Sequence, residues 1–281
     1  MSGSPISRRG VLLRVLVYAF LAYMAIFLLA YALNALNAGI LLTAVFSTFC
    51  AAALANSLAL RIYERIHLAD LGLHWNAASV RHILLGLAGG SGAAAVVLGL
   101  PLIAGAAVLR PAPLYPPSAG SFLFTGVVLL FGAVGEEMLF RGYGFQAMVP
   151  AFGAWATVLP MGALFGAAHS TNQNVTYLGL VNTMAWGVLL GFAVLRSGDL
   201  WLAIGIHFGW NFTLPLFGVN VSGFTMKLTG YSYEWLIDGL WSGGAYGPEG
   251  GVLCSLVLLL LIGFFARAPI EKQRLRLLEA G

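Results

Sequence analysis

The sequence predicts an all-α, polytopic integral membrane protein, with about eight transmembrane helices bundled around an intramembrane cavity. Three observations predict it. Of 281 residues, 60% are hydrophobic and only 9% are charged, against roughly 25% charged in a typical soluble domain. Apolar runs close to the ~20 residues needed to cross a bilayer recur along the chain. Basic residues gather on alternate connections between those runs, as the positive-inside bias requires. This composition excludes an ordinary soluble enzyme, a disordered chain and a nucleic-acid-binding domain. The excess of 14 Lys and Arg over 10 Asp and Glu belongs to membrane edges, so the expected surroundings are membrane lipids and no nucleic acid.

The runs fall at residues 11–33, 40–60, 83–109, 122–140, 152–168, 175–195, 200–217 and 252–266, the fifth, seventh and eighth being short. Ser7-Arg8-Arg9 resembles the start of a signal sequence, but the apolar run after it is too long for one and lacks a small-x-small cleavage site. It is therefore expected to remain as the first helix. With the N-terminus in the cytoplasm, the inner segments hold Arg8, Arg9, Arg14, Arg61, Arg65, Arg81, Arg141, Arg196, Arg267, Lys272, Arg274 and Arg276. The outer segments hold only Arg110 and Lys227. That asymmetry predicts an even number of crossings and both termini inside. Residues 61–82 mix polar and apolar side chains and are expected along the inner interface. Residues 110–121 carry Pro111, Pro113, Pro116 and Pro117 and read as a rigid outer loop. Residues 218–251 form the longest outer connection, with Tyr231, Tyr233, Trp235 and Trp241 as interfacial anchors. Residues 1–281 read as one transmembrane domain. Cys50 and Cys254 lie in apolar runs and read as small buried hydrophobes.

Ionisable groups inside a membrane are costly and point to function. Glu136 and Glu137 lie side by side in the fourth run, with Arg141 four residues after the second. Residues i and i+4 share a helix face, so Glu137 can pair with Arg141, while Glu136 points about 100° away. A paired structural motif explains Glu137 and Arg141 and leaves Glu136 over. His169 ends the fifth run, with Asn172 and Asn174 just after it; His207 and Asn211 are one turn apart in the seventh. Either histidine alone reads as a hydrogen-bonding group in a helix bundle. Together these groups bring a carboxylate, two imidazoles and an amide from separate apolar helices, which is the composition of an active site. Glu136 and His169 can activate a water, and His207 with Asn211 can supply donors to an oxyanion. The chemistry this suggests is attack of water on a carbonyl, with no side-chain nucleophile and no cofactor. A zinc held by Glu136, His169 and His207 is the minority alternative, since no H-E-x-x-H spacing is present.

These residues resemble the CPBP family of CAAX proteases and bacteriocin-processing enzymes, also called the Abi family. Glu136-Glu137-Met138-Leu139-Phe140-Arg141 matches its E-E-x-x-x-R motif, Phe165 to His169 its F-x-x-x-H, and His207 to Asn211 its H-x-x-x-N. Every motif position is filled, in order and on separate runs. Residues 243–250 also resemble a segment found before the last helix of bacterial members. The motif core spans about residues 120–215; the first 110 residues match only in hydropathy. The resemblance implies an intramembrane glutamic endopeptidase with an eight-helix fold and a catalytic cavity. It implies that Glu136 and His169 activate water, that His207 and Asn211 stabilise the oxyanion, and that Glu137, Arg141 and Phe165 support them. The implied partner is a peptide or lipidated protein substrate. The Ala/Gly/Leu-rich composition suggests a bacterial inner membrane. Two other readings stay open: a non-catalytic immunity or scaffold protein retaining the site, and a proton-coupled transporter. To bring His169 level with Glu136 and His207, residues 143–156 are expected partly in the interface and the fifth span to start nearer Pro160, with residues 170–174 buried at the cavity.

Overall fold

The computed structural model describes residues 7–114 and 116–279. The described chain is mostly helical, and each of the eight apolar runs lies largely on a helix. Helix α1 (Arg8–Ala35) is capped by the Ser7 hydroxyl, which accepts from the Gly10 amide at 3.2 Å. Helix α2 (Ile40–Ala59) runs on into a π-turn, Leu60–Glu64, which stops at Arg65 in the left-handed region (φ 57°). A short 3-10 turn (Leu68–Leu71) leads to α3 (Ala77–Ile103), whose first turn is capped by the Asn76 side chain. Helices α4 (Ala119–Arg141), α5 (Tyr143–Phe152), α6 (Ala154–Ala168), α7 (Tyr177–Ser197) and α8 (Trp201–Leu216) follow. The one-turn α9 (Gly239–Ser242) and the last apolar helix, α10 (Val252–Arg267), complete the order, with a final turn at Arg276–Glu279.

Five stretches are long and apolar enough to cross a membrane: α1, α2 with its π-turn, α3, α4 continued by α5, and α7. Helices α6 and α10 are apolar but shorter, and α8 has 16 residues. The molecule is thus a helical integral membrane protein with five candidate spans by length and composition, rather than all eight expected. The third run also ends early. Helix α3 stops at Ile103, and Ala107–Pro111 forms strand β1, paired antiparallel with β2 (Tyr231–Trp235). The helix that carries the fifth run, α6, begins at Ala154, because Gly153 at φ 97° breaks the chain between α5 and α6. Pro160 lies inside α6.

Two devices position the site. The first is the contact of α3 with α8, where Gly86 and Gly90 face Gly205 and Gly209. A side chain at Gly205 would meet the Ile83 carbonyl at 2.5 Å, and one at Gly209 the Leu87 carbonyl at 2.7 Å. Only glycine admits that approach, and it leaves Leu202, Ala203, Ile204 and Ile206 fully buried. The second is Asn56 on α2. It donates to the Met138 carbonyl at 2.9 Å and accepts from the Tyr143 amide at 2.7 Å, satisfying backbone groups left open where α4 ends and α5 begins. Tyr18 on α1 adds a bond to the Leu139 carbonyl at 2.9 Å.

Candidate active site

Helix α4 presents its two glutamates to different surroundings, as the 100° offset requires. Glu137 points into the bundle and is fully buried, as is Arg141 one turn on. Arg141 donates to Glu137 Oε1 at 3.3 Å and to the Gly187 carbonyl of α7 at 2.8 Å. Its guanidinium lies over the Phe165 ring, 4.6 Å from the centroid, which adds a cation–π contact where water is excluded. Glu136 turns toward a cavity instead, its side chain 29% exposed.

Two histidines meet Glu136 there. The Nε2 atoms of His169, at the end of α6, and of His207, on α8, each lie 3.9 Å from Glu136 Oε2. Their other ring nitrogens are already engaged. His169 Nδ1 lies 2.8 Å from the Phe165 carbonyl, and His207 Nδ1 2.9 Å from Glu137 Oε1. Both of those oxygens accept, so each Nδ1 carries a proton and each Nε2 is the ring atom left facing Glu136. Phe165 packs against both rings, at 4.7 Å from His169 and 6.1 Å from His207. The sequence motifs therefore become one chain of contacts: Arg141 to Glu137 to His207, then across to Glu136 and His169.

The cavity holds about 330 Å³ and is walled by α1, α2, α4, α6, α7, α8 and the connection after α8. Asn211 lines it beside His207, and Asn172 lines it beyond His169. The remainder of residues 170–174 is exposed rather than buried at the cavity, and Asn174 takes a left-handed turn (φ 57°). Ile26, Leu41, Val45 and Leu129 make the opposite wall apolar. Among the described residues, no group of three or more His, Cys, Asp or Glu is arranged to hold a metal ion.

One lining residue was not singled out from the sequence. Glu249 lies in the segment before α10 and is 3% exposed. Its Oε1 accepts from Trp210 Nε1 at 3.2 Å and from the Ser222 amide at 3.3 Å, while Oε2 has no partner. Burial pushes its carboxyl up to about 7 despite these donors. In the sequence, residues 243–250 stand out only as a segment resembling one before the last helix, within the outer connection 218–251, and Glu249 is given no role there; the long-range bonds of Asn182 to the Glu249 and Gly251 carbonyls, at 2.8 and 3.0 Å, draw the segment inward.

Residues 118–213 match the family model described as type II CAAX prenyl endopeptidase Rce1-like. Neither the comparison with curated proteins nor that with solved structures gave a match.

Proposed function

We propose, with the Rce1-like CAAX protease segment at residues 118–213 as premise, that the protein is an intramembrane glutamic endopeptidase of the CPBP type. It hydrolyses a peptide bond, near the C-terminus of a CAAX-type or other membrane-associated substrate, inside a bundle of eight crossing helices. Both termini lie in the cytoplasm, and the membrane is a bacterial inner membrane. The observation that carries the reading is the convergence of His169 Nε2 and His207 Nε2 on Glu136 Oε2, each at 3.9 Å.

That spacing is too long for direct hydrogen bonds and suits a water that reaches all three atoms. Glu136, assisted by His169, takes a proton from this water as its oxygen attacks the substrate carbonyl. The C=O electron pair moves to oxygen, where His207 Nε2–H and the Asn211 amide donate to it. Collapse of the adduct breaks the C–N bond, and the proton held by Glu136 and His169 passes to the leaving amine. Glu137 holds His207 through Nδ1 so that Nε2 faces the oxyanion, and Arg141 pairs with Glu137 to keep it in place. No cofactor enters this scheme.

The test is mass spectrometry of membrane peptides from cells carrying the wild type or Glu136→Ala. A cleaved C-terminal tail found only with the wild type is expected. If Glu136→Ala and His169→Ala both leave the peptides and the cellular phenotype unchanged, the enzyme reading fails and a scaffold role stands. Proton-coupled solute uptake into liposomes would instead support a transporter.

A further inference from the structure

The proposed chemistry uses Glu136 and its neighbours and leaves the second buried carboxylate of the cavity without a task. The hydrogen bonds of Glu249 run through Oε1 alone, which holds the Trp210 indole and the Ser222 amide and hydroxyl. A glutamine would make the same three bonds without placing an ionisable group in a dry site. The charge-bearing Oε2 therefore serves something else, and among the described residues it has no partner.

Its surroundings say what fits. Trp210 stands between Glu249 and the catalytic groups, one turn beyond His207 on α8, and pairs with Trp186 at 4.8 Å between ring centroids. Ser222 and Asn172 add polar atoms to the same cavity wall. No lysine or arginine is among the lining residues, so the cavity carries two carboxylates and no strong cation. Indole faces beside a carboxylate attract ammonium and guanidinium groups, and a cation brought to this depth is tolerated only when paired. An incoming carboxylate would meet like charge.

We infer that Glu249, with Trp210 and Trp186, forms a subsite for a positively charged group of the bound peptide, a lysine or arginine side chain near the bond to be cut. The inference deepens the protease reading and rests on it for the word substrate, but the subsite is tested by binding alone. The probes are fluorescein-labelled alanine/leucine nonapeptides carrying one Lys, norleucine or Glu at successive positions. They are titrated against the full chain in phosphatidylglycerol/phosphatidylethanolamine liposomes, and cleavage is followed in parallel.

At one or two positions, Lys is expected to bind about tenfold more tightly than norleucine, the order of one paired, partly desolvated cation. Glu is expected to bind more weakly than either. In Glu249→Gln, which keeps the Oε1 bonds, the Lys to norleucine ratio is expected to fall toward one. Equal binding of Lys and norleucine by the wild type at every position overturns the inference and needs no variant to fold. A preference that survives Glu249→Gln also overturns it. Preferential binding without cleavage of any peptide leaves the subsite standing and counts against the protease reading.

Discussion

Glu137 and Arg141 are fully buried, and each is compensated in more than one direction. Glu137 holds both Arg141 and His207 through Oε1, and Arg141 is also bonded to the Gly187 carbonyl. Removing one charge therefore differs from removing both. Arg141→Met leaves Glu137 as an uncompensated buried charge and is expected to cost about 3–5 kcal/mol, seen as a loss of thermal stability in detergent. Glu137→Gln keeps the shape but no longer fixes the proton on His207 Nδ1. Its kcat is expected to fall by about 10²–10⁴ with KM little changed, and its melting temperature is expected to fall as well because Arg141 is left as a buried unpaired charge; unchanged kcat would remove Glu137 from the mechanism. Glu249 gives a pH signature of its own. With its folded value near 7 and an unfolded value near 4.3, its contribution to stability is full below about pH 4 and is lost as pH rises through 7. The loss amounts to something on the order of 3 kcal/mol. Glu249→Gln is expected to flatten that part of the stability–pH curve. Glu136, His169, His207 and Asn211 were legible in the sequence because polar groups stand out in apolar runs. Glu249 was not, because a carboxylate among glycines looks solvated until a distant Asn182 pulls it in.

The helices were legible as runs, and their ends were not, because the ends depend on partners far away in sequence. Ala107–Pro111 continues an apolar stretch, and only its pairing with Tyr231–Trp235 turns it into strand. Gly153 reads as one small residue among many, while its φ of 97° divides α5 from α6. Glycines also decide how close α3 and α8 come, and here their spacing carries a prediction. A methyl at Gly90 would collide with the Ile206 carbonyl, backbone that cannot swing aside, whereas one at Gly92 meets nothing within 4 Å. Gly90→Ala is expected to cost about 1–3 kcal/mol through overpacking. It should also lower kcat, because the displaced backbone immediately precedes His207. Gly92→Ala should be neutral or slightly stabilising, since alanine suits a helix interior better than glycine. Equal stability and activity in the two variants would mean that α3 and α8 do not hold the site by close approach.

Across the whole molecule the ion pairs sort to one end. Arg14 pairs with Glu64 at 3.0 Å, Arg81 with Glu271 at 3.1 Å and Arg276 with Asp70 at 3.6 Å, all on segments that the positive-inside bias assigns to the cytoplasm. At the far end Arg110 meets Glu234 across the β1–β2 pair. Hydropathy alone marks eight runs, yet α6, α8 and α10 fall short of a full crossing by length. A short helix surrounded by other helices needs no hydrocarbon-length apolar surface of its own, which is why span number was the less legible part of the fold. Orientation supplies the test. With Cys50 replaced by serine and Cys254 fully buried, single cysteines can be placed at Leu114, which is 86% exposed, and at Glu271, whose side chain is 60% exposed. In intact cells a membrane-impermeant maleimide is expected to label Leu114→Cys from outside and Glu271→Cys only after permeabilisation. Labelling of both from outside would require an even number of crossings between them. Labelling of Glu271→Cys alone would invert the molecule and place the Glu136 cavity nearer the outer face.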